Sequence, residues 1–423
     1  MLRFAPSPTG DLHIGNLRVA IFNYIVSKQK KEDFIVRIED TEKEKNIEAK
    51  DQEVLDLLAL FNIHYSQVIY QSENIRFHSA MALQLLHEKK AFSCFCSPQW
   101  LEKKQKESKE AKKAYSYDDA CRNLPAELVI DNTSPFTIRI TRPDITITIN
   151  DQIKGRVNFE DIDSFVIMSQ DKIPTHNFSA AVDDMLNDIT LIIRDEHYIN
   201  DTAQQIHIRK SLSYDKEITY AHLPTILNDS NNPVSVKSLL EQGYLPEAIL
   251  NYLILLGNEV PKKIFTMEEA IEWFDLSKIS KNPTPFDIEM LKTINKEHLK
   301  NLDAKELSRY LGFADAEIGE LAYIYLEEVT TTVELRSKIA PIFSERDASE
   351  LFRKETDIMI QTIKSAPYFE EYEDFKNHIM KESGIEEDNF SQLFRILLTN
   401  AETGPELAKI YKCLKNYIGE IIK

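Results

Sequence analysis

The 423-residue sequence predicts an α/β fold: a parallel sheet interrupted by an α+β insertion and followed by an all-α C-terminal region. Three observations carry this. Residues 1 to 40 run apolar segment, turn, helical repeat, apolar segment; short β-rich runs crowd between residues 137 and 168; and beyond about residue 235 the apolar spacing is helical throughout.

The opening segment is the clearest. Leu2 to Ala5 is a short apolar run, Pro6 to Asp11 is turn chemistry containing Gly10, and Leu17, Ala20, Ile21, Tyr24 and Ile25 fall on one helical face. Lys28, Lys30 and Lys31 close that helix where cations suit its dipole, and Phe34 to Ile38 reads as the next strand. This is a βαβ unit, and parallel sheets built from such units bind ligands at the carboxyl ends of their strands.

Residues 102 to 113 (EKKQKESKEAKK) lack an apolar stripe, which fits a solvated helix or an RNA-facing one. The runs TIRI, ITITI, VNF and SFVIM suggest a small antiparallel sheet. Residues 76–183 therefore read as an insertion between the two halves, 1–75 and 184–235, of the parallel-sheet domain. SLLEQGYLPEAILNYLILLG is helical in period with a turn at Gly243 to Pro246, and Asp303 with Glu306 makes a capping box ahead of Leu307, Tyr310 and Leu311. The helical remainder divides into 236–300 and 301–423.

Composition narrows the function. The start, MLRFAPSPTG, lacks a basic region followed by a long apolar run, and no stretch approaches about 18 uninterrupted apolar residues, so the cytoplasm is expected and no membrane partner is. A formal net charge of -18 argues against a protein that coats nucleic acid indiscriminately, while leaving room for a shape-fitted RNA. Four cysteines are too few for a disulfide framework; Cys94, Cys96 and Cys121 lie close together and hint at a metal, and Cys413 stands apart.

The strongest local signal runs from Arg3 to Asn16, at the end of the first strand and the start of the first helix: Pro6, Ser7, Pro8, Thr9, Gly10, Asp11, Leu12, His13, Ile14, Gly15 and Asn16 form one turn. A helix N-terminus offers unpaired N–H groups and a positive dipole end to a phosphate, and a glycine lets a nucleotide approach the backbone. The string resembles the HIGH-type signature of class I aminoacyl-tRNA synthetases, in the form used by glutamyl and glutaminyl enzymes. The resemblance implies a Rossmann-type catalytic domain that binds ATP with Mg2+ at this turn, with His13, Gly15 and Asn16 at the reacting phosphate. It also implies that the 301–423 region binds the anticodon and the 236–300 region contacts the tRNA stem.

Further matches extend the resemblance. Arg37-Ile-Glu-Asp-Thr41 is similar to the family's RIEDTD segment, with Glu42 in place of the last Asp, and implies that Glu39 receives the amino group of the substrate. Arg3 and Arg194 match the arginines that hold glutamate carboxylates, a task suited to the planar guanidinium fork. Ala5, Ser7 and His176 complete the implied pocket. Pro174-Thr-His-Asn-Phe178 departs from the usual PTYNF, so His176 replaces a tyrosine; RGEDH becomes Arg194-Asp-Glu-His-Tyr198, while Val182-Asp-Asp184 is kept.

Cys94-Phe-Cys96 with Tyr117-x3-Cys121 lies where many such synthetases carry zinc, and three thiolates with a phenolate would complete a tetrahedral structural shell; buried free thiols are the other reading. The family's second signature, a KMSKS loop, should follow Ala221 to Asn228. Here Asp229-Ser-Asn-Asn-Pro-Val-Ser-Val-Lys237 runs straight into the next helix with no such string, and Lys237 belongs to that helix. The resemblance as a whole implies a monomeric ligase taking ATP, L-glutamate and tRNA of the glutamate or glutamine type, the spellings FAPSPTGDLHIGN and DSFVIM resembling the glutamine-tRNA branch. The helical C-terminal third argues against the truncated tRNA-modifying relatives and against glutaminyl enzymes, which end in β-barrels. A non-catalytic relative that binds tRNA or glutamate is the alternative that the missing loop favours.

Overall fold

A computed structural model describes residues 1–112, 115–160, 162–228, 233–344 and 353–422. They form two compact units, one of residues 1–236 and 253–286, the other of residues 237–252 and 287–423.

The first unit opens as its apolar runs require. Strand β1 (Leu2–Phe4) leads into helix α1 (Ile14–Lys30), strand β2 (Phe34–Ile38), helix α2 (Lys50–Leu60) and strand β3 (Val68–Tyr70). The insertion begins with helix α3 (Ile75–His87), strand β4 (Ala91–Cys94) and helix α4 (Pro98–Glu110), which buries no residue, in keeping with its lack of an apolar stripe. Helix α5 (Ala126–Ile130) and strands β5 (Thr137–Ile140), β6 (Ile147–Asp151), β7 (Gly155–Phe159) and β8 (Phe165–Met168) follow. The chain then returns through helix α6 (His176–Leu186), strand β9 (Leu191–Asp195), helix α7 (Ile199–Ser211) and strand β10 (Thr219–Leu223).

The main sheet has the order β10-β9-β1-β2-β3 and is parallel at every pairing. Strands β1 and β2 are buried on both faces, which explains a spelling that is apolar except for Arg3 and Arg37. The strand order reverses at β1, so the crevice beyond its carboxyl end is the expected ligand site.

The single antiparallel sheet expected over residues 137–168 is in fact two. β5 pairs with β4 upstream as well as with β8, whereas β6 and β7 form a separate hairpin. The reason is the alternation in β6: Ile147, Ile149 and Asp151 face inward, and Ile149 packs with Ile189, Ile192 and Tyr220 of the main-sheet region. Gln152 N–H also donates to the Tyr220 carbonyl at 2.9 Å, fixing the hairpin to β10, the edge strand. A second difference is small: strands do not stop at residue 235, because β11 (Ile226–Leu227) pairs in parallel with a two-residue strand at Thr284–Pro285.

Helices at Val236–Glu241 and Pro246–Leu255 flank the turn at Gly243, whose φ of 87° suits glycine. The described elements from Ile288 to Ile421 are helical, and the capping box of Asp303 and Glu306 is present in both directions. Leu307 and Leu311 are buried behind it, while Tyr310 is exposed. No described helix is long and apolar enough to cross a membrane.

Candidate active site

At the carboxyl ends of β1, β2 and β9 lies a cavity of about 390 Å³. Every residue that the sequence assigns to the ATP turn or the amino-acid pocket lines it except Pro8 and Ile14, which are buried. Those two have structural work. The Pro8 carbonyl accepts from Ile47 N–H at 2.9 Å, and the Pro6 carbonyl accepts from Glu39 N–H at 2.9 Å, so the turn is fastened to the segment after β2. On its other side Ile14 N–H donates to the Val234 carbonyl, and Val236 N–H to the Leu12 carbonyl, each at 3.0 Å.

His13 is the N-cap of α1, and its Nδ1 accepts from Asn16 N–H at 3.3 Å. Capping and catalysis are compatible here: with Nδ1 as acceptor, the ring proton sits on Nε2 and is free to be donated to the cavity. Burial lowers the His13 pKa against an opposing pull from Asp195, so the ring is neutral at pH 7. Gly15 has a local structural reason, since a Cβ there would stand 3.0 Å from the His13 ring.

The floor of the cavity is a charge network that sequence reading found only in part. Asp184 of α6, fully buried, accepts from Arg3 Nε at 3.0 Å and from Arg37 Nη1 at 2.7 Å. Burial alone would raise the Asp184 pKa, but Arg3, Arg37 and Arg209 hold it well below the usual carboxylate range. Its neighbour Asp183 faces elsewhere, taking Gln71, Asn74 and His78 at 2.8, 3.0 and 2.9 Å. Arg37 also reaches Glu39 at 3.2 Å, and His176 Nδ1 lies 3.2 Å from the same carboxylate. Against the cost of burial, His176 and Arg37 bring Glu39 down to about 2, and Glu39 in turn raises His176.

Arg194 is held differently. Its Nε donates to His222 Nε2 at 3.1 Å, Nη1 to Gln205 Oε1 at 3.0 Å, and Nη2 to the Tyr198 carbonyl at 3.0 Å and Thr202 Oγ1 at 2.7 Å. All four acceptors are neutral, and no described carboxylate comes within ion-pairing distance. Burial and the like charge of Arg3 lower its pKa to about 10, which still leaves it a cation at pH 7. Arg3, by contrast, engages only Asp184 among the described residues and keeps both Nη groups open. Sequence reading missed Arg37, Asp184, Gln205 and His222 as site components; the adjacent pair Asp183–Asp184 inside an apolar helix was the available signal.

Cys94, Cys96 and Cys121 form a second cluster in the insertion, their sulfurs within 4.8 Å of one another. The Tyr117 hydroxyl lies 3.4 Å from Cys94 Sγ and 3.5 Å from Cys96 Sγ, so the four residues named from the family resemblance lie together. Arg139 Nε donates to Cys94 Sγ at 3.3 Å. Burial opposes ionisation of Cys94, yet Tyr117, the Cys96 backbone and Arg139 together bring its thiol down to about 7, while burial pushes Cys96 up to about 12.

Residues 1–293 match the catalytic-domain model of class I tRNA synthetases, the E and Q type. The chain is 63% identical to the glutamate–tRNA ligase 2 of Sulfurimonas denitrificans and 51% identical to the glutamate–tRNA ligase 1 of Nitratiruptor, over the full length of both chains in each case. These alignments span 432 positions, longer than the 423 residues here. The glutamate–tRNA ligase of Elizabethkingia meningosepticum, solved with its amino acid, has a similar fold, with a TM-score of 0.82 at 23% identity, covering 99% of this chain and 97% of its own. The fold and the signature turn are thus those of a class I aminoacyl-tRNA synthetase. Within that class the chain belongs to the glutamate–tRNA ligase family.

Asp184→Asn removes the charge that two buried arginines share, and its expected cost is about 3–5 kcal/mol in urea unfolding at pH 7. Because the folded-state pKa of Asp184 is depressed, that stabilisation is complete above about pH 4 and is lost as pH falls further, so the gap between wild type and variant should close only in strong acid. A variant as stable as wild type at pH 7 would contradict the role given to this carboxylate.

Proposed function

We propose that this chain activates L-glutamate with ATP to glutamyl-adenylate and transfers it to the 3′ end of a glutamate-type or glutamine-type tRNA, releasing diphosphate and then AMP. The observation that carries the reading is the buried cationic charge of Arg194 beside the open guanidinium of Arg3, in a cavity that also holds the N-terminus of α1. Two carboxylates and one ammonium on the substrate find two arginines and Glu39. His176 stands beside Glu39, where its imidazole competes with the substrate ammonium for the same carboxylate.

The chemistry asked of these residues is positioning and charge stabilisation. The glutamate α-carboxylate attacks the α-phosphorus and diphosphate leaves. His13 Nε2–H, aimed by the bond from Asn16 to Nδ1, donates to the phosphate oxygen on which charge accumulates. The first N–H groups of α1 add their partial positive charge, and no protein nucleophile is needed. Magnesium accompanies the ATP and supplies further neutralisation of the triphosphate.

The helical region 301–423 is assigned to anticodon reading and 236–300 to the tRNA stem, with the protein acting as a cytoplasmic monomer. Cys94, Cys96, Cys121 and Tyr117 fit a closed structural zinc site, with the charge of Arg139 favouring the thiolate form. Metal analysis of the purified protein should find about one zinc per chain, lost in Cys96→Ser with Cys121→Ser; a metal-free, fully folded wild type would overturn the assignment.

One observation favours a second reading, a binding-only relative: no KMSKS-type lysine string follows the β10 segment. Its place, residues 229–232, lies outside the described residues. Charging with radiolabelled glutamate, run separately on glutamate tRNA and glutamine tRNA, separates the readings. A ligase labels at least one of them; filter binding of tRNA without labelling of either would establish the binding-only relative instead.

A further inference from the structure

Arg194 is positioned by a device that reaches it from the insertion. Asp151, the last residue of β6, is buried and accepts the backbone N–H groups of Ile153 and Lys154 at 2.9 and 2.8 Å and that of His222 at 3.1 Å. Its Oδ2 lies 2.7 Å from His222 Nδ1. On the opposite edge of the same imidazole, Arg194 Nε donates to Nε2 at 3.1 Å.

This geometry fixes the chemistry of the ring. A guanidinium N–H can only donate, so His222 Nε2 must carry a lone pair, and the ring proton must sit on Nδ1, facing Asp151. Burial keeps the imidazole neutral: it lowers the His222 pKa, and Arg194 adds to that effect while Asp151 opposes it. Asp151 itself stays ionised, because His222 and the backbone bonds outweigh the cost of burying it. The carboxylate therefore selects the tautomer, and the tautomer supplies the acceptor that aligns the arginine without placing an anion against it. Direct pairing with Asp151 would have spent the positive charge that Arg194 offers to a substrate carboxylate. Arg37 has that arrangement with Asp184, and Arg194 does not.

We propose that Asp151 and His222 are positioning residues for amino-acid binding, acting through Arg194, and that the β6–β7 hairpin is docked on β10 to deliver Asp151 to the ring. The proposal rests on the reading of Arg194 as a glutamate-binding residue. It predicts which substitutions preserve function. His222→Gln retains one donor and one acceptor on a single planar group, so it can still bridge Asp151 and Arg194. His222→Leu offers neither. Asp151→Asn keeps the shape but puts an amide among N–H donors, which favours the wrong tautomer and sets N–H against Arg194 Nε–H.

The test is steady-state ATP–diphosphate exchange by the full chain in the presence of tRNA, with KM measured separately for glutamate and for ATP. His222→Leu and Asp151→Asn should each raise the KM for glutamate by at least about tenfold, with the KM for ATP within about twofold of wild type, while His222→Gln stays within about threefold. A merely structural role would lower the active fraction and the melting temperature and leave the KM for glutamate unchanged. If His222→Leu does not fold, the contrast between Asp151→Asn and His222→Gln decides. The proposal is overturned if every folded variant keeps the wild-type KM for glutamate, or if both KM values rise together. Absence of exchange by the wild type would instead defeat the underlying reading of the site.

Discussion

The buried carboxylate of Asp184 is the interaction on which the rest of the site depends. It joins Arg3 of β1 and Arg37 of β2, neighbouring strands of the sheet, to α6. A guanidinium taken out of water must be ion-paired or fully hydrogen-bonded, and with the carboxylates of Asp184 and Glu39 set against Arg3, Arg37 and Arg194 the region keeps surplus positive charge. That surplus sits at the point where the strand order reverses and where the N-terminus of α1 points. An anionic ligand is therefore favoured by the packing of the sheet itself, before any specific contact is considered.

Two kinds of buried arginine divide the labour. Arg37, wholly enclosed, is neutralised by Asp184 and Glu39 and acts as a structural strut. Arg194 is also buried but is surrounded by a histidine, an amide, a hydroxyl and a carbonyl, groups that orient without discharging. The difference is chemical: an ion pair maximises local stability, whereas a cage of neutral acceptors keeps a charge available. The insertion, which from composition looks like an appendage, contributes to that cage through its hairpin.

Much of this was legible in the sequence where information is local. Leu2 to Ile38 spell strand, turn, helix and strand; His13 and Gly15 mark the start of α1; Asp303 and Glu306 announce a cap; Cys94, Cys96 and Cys121 are close in space as they are close in sequence. What stayed hidden involves partners far apart in the chain. Arg3 and Asp184 are 181 residues apart, Arg37 and Asp184 147, and Asp151 and His222 71. The runs around residues 137–168 look alike one at a time, and only their partners, β4 for one and β10 for another, divide them into two sheets. Short-range spelling specifies elements, and tertiary pairing assigns the polar side chains their tasks.

The central claim is that uncompensated arginine charge at the crevice selects an amino acid with an anionic side chain for activation by ATP. The most direct measurement is tRNA-dependent ATP–diphosphate exchange by the wild-type chain with glutamate and glutamine as alternative amino acids. The account predicts exchange that depends on glutamate and is negligible with glutamine. Exchange with glutamine at a comparable rate, or no exchange with either, would contradict it.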